Sequence, residues 1–198
     1  MVAVPGHERN GGKKLRFSLR EQILVSGTDW RSPLTAGGES AVLETPLGRM
    51  AVIRSKSAVT PCSSPIGGPM EDWTLLLGGD VACLRGLCAP YVSLHRKVRL
   101  GVDGVIQGRP CRLSVARSFR ASRRVVRISF EGSADFTEFR PSGLNGTWLE
   151  SEECGASGDC HRRTWQIENL DRRTMAALAF FELGRLRFLL DNPMLALL

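Results

Sequence analysis

The chain has 198 residues, 42% of them hydrophobic and 24% charged. This composition excludes a disordered polymer and allows one substantial core, not two independent ones. With 27 Lys+Arg against 20 Asp+Glu the net charge is +7 and the isoelectric point about 9.5, so acidic partners such as nucleic acid or an anionic membrane are favoured in encounter. No continuous apolar stretch resembling a secretory signal occurs near residue 1, and a cytoplasmic, reducing setting is expected. The six cysteines are accordingly read as thiols.

Residues 1–13 are polar and glycine-rich and read as a loose arm; 14–198 read as one domain. From Lys14 to Arg20 the sequence alternates, placing Leu15, Phe17 and Leu19 on one face of a half-buried strand. Short strands are expected at 22–26, 40–44 and 49–54. Residues 61–71, with three prolines and two glycines, form a long surface loop. Strands resume at 73–77, 81–84, 91–100, 104–107, 111–116, 124–131, 136–139, 147–150 and 164–168, and Gly101 to Gly104 reads as a hairpin signal. About a dozen short strands exceed what an open sheet usually holds without curling or closing.

The last element differs in kind. Asp171 is a good N-cap and Pro193 a good stop, which predicts a helix over 172–190 of about 19 residues and roughly 29 Å. Its apolar residues point in all directions, so it must be surrounded by protein or lipid. Lipid is excluded: a span needs about 20 apolar residues, and the uninterrupted run ends at Phe181, before Glu182, Arg185 and Arg187. The predicted fold is therefore mainly β, an antiparallel barrel of about twelve strands enclosing a hydrophobic C-terminal helix.

Trp165-Gln166-Ile167-Glu168-Asn169-Leu170-Asp171, followed by Arg172-Arg173-Thr174-Met175-Ala176-Ala177, resembles the ending shared by phospholipid scramblases, Tubby C-terminal domains and LURP-one-related proteins. The resemblance covers some thirty residues, and it implies a barrel around a central helix and binding of phosphoinositides or other anionic lipids. The cysteine-rich palmitoylation patch and acidic calcium segment of scramblases have no clear counterpart, so no calcium ligand is carried over.

Arginine is crowded at Arg112, Arg117, Arg120, Arg123, Arg124 and Arg127, with no acidic residue from 112 to 127. Guanidinium groups bind phosphate oxygens bidentately, and a turn at Ser118 to Ser122 would present several together. Lys97 and Arg99, with His95, occupy polar positions of the expected 91–100 strand and extend this anion-binding set. The competing interpretation is a basic face that only keeps the protein soluble. Acidic phospholipid headgroups or an acidic protein fit charge alone; a nucleic-acid module, the alternative, wants interleaved aromatics, and only Phe119 lies in the cluster. A small ligand-binding or enzymatic barrel is the second alternative. Cys154, Cys160 and His161 lack the second ligand pair that zinc requires, and no nucleophile motif, phosphate loop or dinucleotide fingerprint occurs. No cofactor and no catalytic residue are expected.

Overall fold

The computed structural model describes residues 15–19, 23–24, 39–57, 70–88, 101–116, 118–142, 148–151, 156–159, 164–184 and 186–190. The strands are β1 (Leu15–Phe17), β2 (Ile23–Leu24), β3 (Glu39–Thr45), β4 (Gly48–Lys56), β5 (Met70–Leu77), β6 (Asp80–Cys88), β7 (Val102–Ile106) and β8 (Arg109–Ala116). They continue with β9 (Val125–Phe130), β10 (Phe136–Ser142), β11 (Trp148–Ser151), β12 (Ala156–Asp159) and β13 (Thr164–Ile167), and helix α1 spans Arg172–Leu183. The arm 1–13, the 91–100 strand and most of the 61–71 loop lie outside the described residues.

Pairing is antiparallel throughout and follows sequence order from β2 to β13, after which β1 pairs with β13. The long strands are β3 to β10. No ladder joins β1 to β2 among the described residues, so the strands form a large antiparallel sheet, and the expected closed barrel is not seen in it. The reason β-structure wins here is the period-2 pattern. On β4, Met50, Val52 and Arg54 are buried between less buried neighbours, and on β9 Val126, Ile128 and Phe130 alternate likewise.

Two of the expected boundaries shift. The hairpin expected at Gly101–Gly104 lies five residues later: Val102–Ile106 is strand, and the turn falls at Gln107 (φ 51°) and Gly108 (φ 74°), both left-handed as a tight hairpin requires. The cysteine- and glycine-rich segment read as a loop contains β12. Gly158 there pairs with Trp165, and a Cβ at this position would sit 3.0 Å from the indole ring, so glycine lets the two strands approach over the ring.

Helix α1 begins as expected. Asp171 caps it, accepting from the Thr174 amide at 2.6 Å. It ends earlier than expected, at Leu183: the Gly184 amide donates to the Phe180 carbonyl at 2.9 Å, and a 3-10 turn, Leu186–Leu190, replaces the last α-helical turns. Every residue from Thr174 to Leu183 is buried. No helix among the described residues is long and apolar enough to cross a membrane.

The contacts of α1 show what surrounds it. Phe181 stacks on Phe139 of β10 with ring centroids 4.2 Å apart, and both meet Trp165 of β13 edge-on. The Trp165 indole N–H donates to buried Glu182 at 3.2 Å, so this side chain faces the interior. Arg172 reaches Asp80 at 3.0 Å beyond the β5–β6 turn, and Arg173 reaches Asp135 in the β9–β10 turn at 3.7 Å. Cations at a helix N-terminus oppose the helix dipole; these carboxylates compensate, and Arg172 holds the Asp80 carboxyl below its ordinary range. The helix thus meets residues at the β5–β6 and β9–β10 turns and on β10 and β13.

Candidate anion-binding turn

The arginine cluster occupies β8, β9 and the connection between them. Strand pairing divides it into three groups. Arg124 is buried and serves the fold: its Nε donates to the Ser118 carbonyl at 2.8 Å, Nη2 to the Phe119 carbonyl at 2.8 Å and Nη1 to the Leu190 carbonyl at 3.1 Å. It ties the β8–β9 turn to the segment following α1, and is not available to a ligand.

Arg112 and Arg127 lie on the outer face and meet carboxylates supplied by neighbouring strands. Arg112 lies opposite Asp103 of β7, 3.4 Å away. Arg127 lies opposite Glu138 of β10 and also covers the Phe136 ring at 4.6 Å. Glu138 takes Arg140 as well, whose Nε donates at 2.9 Å. Burial raises the Glu138 carboxyl, but the hydrogen bonds from Arg140 and Arg127 outweigh it and hold the group below the ordinary glutamate value. A depressed carboxylate contributes stability that is fully present above the unfolded value near 4.5 and is lost as pH falls through the lower folded value. Denaturant titrations of wild type and E138Q are expected to differ most at pH 6, with the gap narrowing as pH falls below 4.5; a gap that does not narrow on acidification contradicts this linkage.

Arg120 and Arg123 form the remaining group. Both side chains are exposed, and no carboxylate pairs with either among the described residues. A 3-10 turn, Ala121–Arg123, positions them, with the Arg123 amide donating to the Arg120 carbonyl at 3.1 Å and the Arg120 amide to Ser118 Oγ at 3.2 Å. Between them and β8 stands Phe119, 76% exposed, against 48% for Val81, the next large apolar residue. Arg117, Lys97 and Arg99 lie outside the described residues. The six clustered arginines are therefore not one equivalent patch: two exposed guanidinium groups and a phenyl ring share a turn that a third arginine holds rigid.

Cys83 and Cys111 are free, and burial pushes the Cys111 thiol up to about 12, keeping it protonated at neutral pH. Cys154, Cys160 and His161 lie outside the described residues. A cavity of about 10 Å³, lined in part by Met50, Leu75, Ile106 and Ala176, takes at most a water.

One buried polar group went undetected in the sequence. Arg54 on β4 and Glu71 on β5 face the interior, paired through Nε–Oε2 and Nη2–Oε1, both 3.0 Å, with the Trp73 indole N–H donating to Glu71 Oε2 at 3.1 Å. Arg54 also lies 5.1 Å from the Trp73 ring centroid. Only the register that sets β4 against β5 brings these residues together.

No family model matches the chain, and neither a curated protein nor a solved structure matches it.

Proposed function

We propose that the chain is a non-enzymatic binding protein that recognises acidic phospholipid headgroups through the β8–β9 turn, as a peripheral protein on a cytoplasmic membrane surface. Arg120 and Arg123 carry this reading: two exposed guanidinium groups without carboxylate partners, on a turn held by Arg124. Arginines already paired, such as Arg127, have their field largely cancelled. The sheet is proposed to complete a barrel around α1 by bringing its edge strands β1 and β2 together, the arrangement that the resemblance to scramblases and Tubby domains implies. A nucleic-acid module is the second reading, favoured by the exposed Phe119 ring, which offers a base a stacking surface.

Sedimentation with vesicles tests the first reading. Vesicles containing phosphatidylserine are expected to retain the protein and neutral phosphatidylcholine vesicles to leave it in solution, with retention falling as salt rises. Removing both charges in R120A/R123A should weaken retention about thirtyfold, at about 1 kcal/mol per arginine near the surface. Equal retention by both vesicle types, or an unchanged double variant, overturns the proposal.

A further inference from the structure

We infer that Phe119 is a membrane-inserting wedge, whose ring enters the boundary between headgroups and acyl chains while Arg120 and Arg123 hold the phosphates above it; this rests on the lipid reading of the same turn and names the bilayer, not a soluble headgroup, as its partner.

Three features of the turn support this. The ring, on the β8–β9 turn, is the most exposed large apolar side chain among the described residues. Arg124 fixes the backbone on either side of it by binding the carbonyls of Ser118 and Phe119, and is itself anchored on the Leu190 carbonyl. A flexible loop would lose conformational entropy on insertion, whereas this one is ordered beforehand.

The same hydrogen bonds remove a second obstacle. Peptide groups entering an apolar medium unpaired cost several kcal/mol each. At the tip of this turn the Ser118 and Phe119 carbonyls are occupied by Arg124, the Arg120 carbonyl by the Arg123 amide, and the Arg120 amide by Ser118 Oγ. The three carbonyls from Ser118 to Arg120 and the amides of Arg120 and Arg123 are therefore already satisfied in the segment that would descend into the interface.

Charge placement selects the occupant. Arg120 and Arg123 follow Phe119 within one turn, and their aliphatic stems can lie along the interface while the guanidinium groups reach phosphate oxygens. A single-stranded nucleic acid bound without sequence preference calls for successive aromatic platforms along a groove, and this turn has one ring. An apolar tip ringed by cations matches the layered polarity of an anionic bilayer surface, apolar beneath and negative above.

The test uses the full chain with vesicles of phosphatidylcholine alone, phosphatidylcholine with phosphatidylserine, and the serine mixture carrying dibrominated acyl chains. F119A is expected to bind the anionic vesicles about tenfold or more weakly, as loss of a buried phenyl side chain implies, and to keep a melting temperature near that of wild type because the residue is 76% exposed. F119W is expected to bind like wild type and to add a blue-shifted emission, quenched by the brominated chains, over the signal of the native tryptophans. Wild-type affinity in F119A together with unquenched F119W overturns insertion and leaves the electrostatic proposal standing. Retention of single-stranded RNA that F119A abolishes, without vesicle binding, overturns insertion in favour of stacking. Absence of binding to any of these probes overturns both the wedge and the lipid reading on which it rests.

Discussion

Ending the chain at Leu170 is expected to abolish the cooperative fold. The sheet presents Leu43, Met50, Leu75, Leu84, Ile106, Leu113, Ile128, Phe139 and Trp165 to one side, and α1 buries all its residues from Thr174 onward in the same core. Removing a single buried phenylalanine costs about 3–5 kcal/mol, and truncation removes both Phe180 and Phe181 along with Met175, Leu178 and Leu183. Their loss exceeds the roughly 5–15 kcal/mol by which a domain of this size is stable. The truncated chain should sediment as aggregate, or show a broad, non-cooperative melt by circular dichroism. A sharp transition with an unchanged denaturant slope would show that α1 lies outside the core. The milder F181A variant should fold and lose about 3–5 kcal/mol, since its ring stacks on Phe139 and meets Trp165.

The next largest effect is expected at Glu71. Its side chain is 2% exposed, as is that of Arg54, and the pair is bidentate. Replacing Glu71 by alanine leaves the Arg54 charge in the core without its carboxylate, an outcome that costs about 3–5 kcal/mol for a buried pair. Urea unfolding of E71A should show a midpoint lowered by that amount. Joint replacement of both residues, R54M/E71L, removes the charges together and should recover most of the loss, because the desolvation cost of the pair disappears with it. If E71A unfolds like wild type, the pair is solvated in solution and contributes no buried charge. The pair also pins the strands: a slip of one residue between β4 and β5 would turn one charge outward and the other into an apolar layer.

Local pattern carried much of this architecture. Alternation at β4, β8 and β9 was legible because burying one face of a strand forces a two-residue period, and α1 was legible because no other environment accepts a helix apolar on all sides. The helix end was not: Leu186 to Leu190 is as apolar as what precedes it, and the Arg124 guanidinium that holds the Leu190 carbonyl comes from 66 residues away. The candidate site was half legible. Counting arginines from 112 to 127 found the right segment, but Asp103 and Glu138, which balance Arg112 and Arg127, lie on strands adjacent in space and distant in sequence. Arg124 was indistinguishable from its neighbours because its partners are backbone carbonyls, which every residue has. The Arg54–Glu71 pair, 17 residues apart, left no signal short of the register itself.

The pairing of β1 with β13 has a consequence for biosynthesis. Strands β2 to β13 follow one another as hairpins, so each can form soon after its two halves leave the ribosome. The inner face of this growing meander stays bare, however, because its cover is encoded after all thirteen strands, from Arg172 onward, and β1 waits for residues 164–167 before it has a neighbour. A nascent chain therefore carries a wide apolar surface while the strands from Leu15 to Ile167 are being made, and it is covered only once the helix that follows them has emerged.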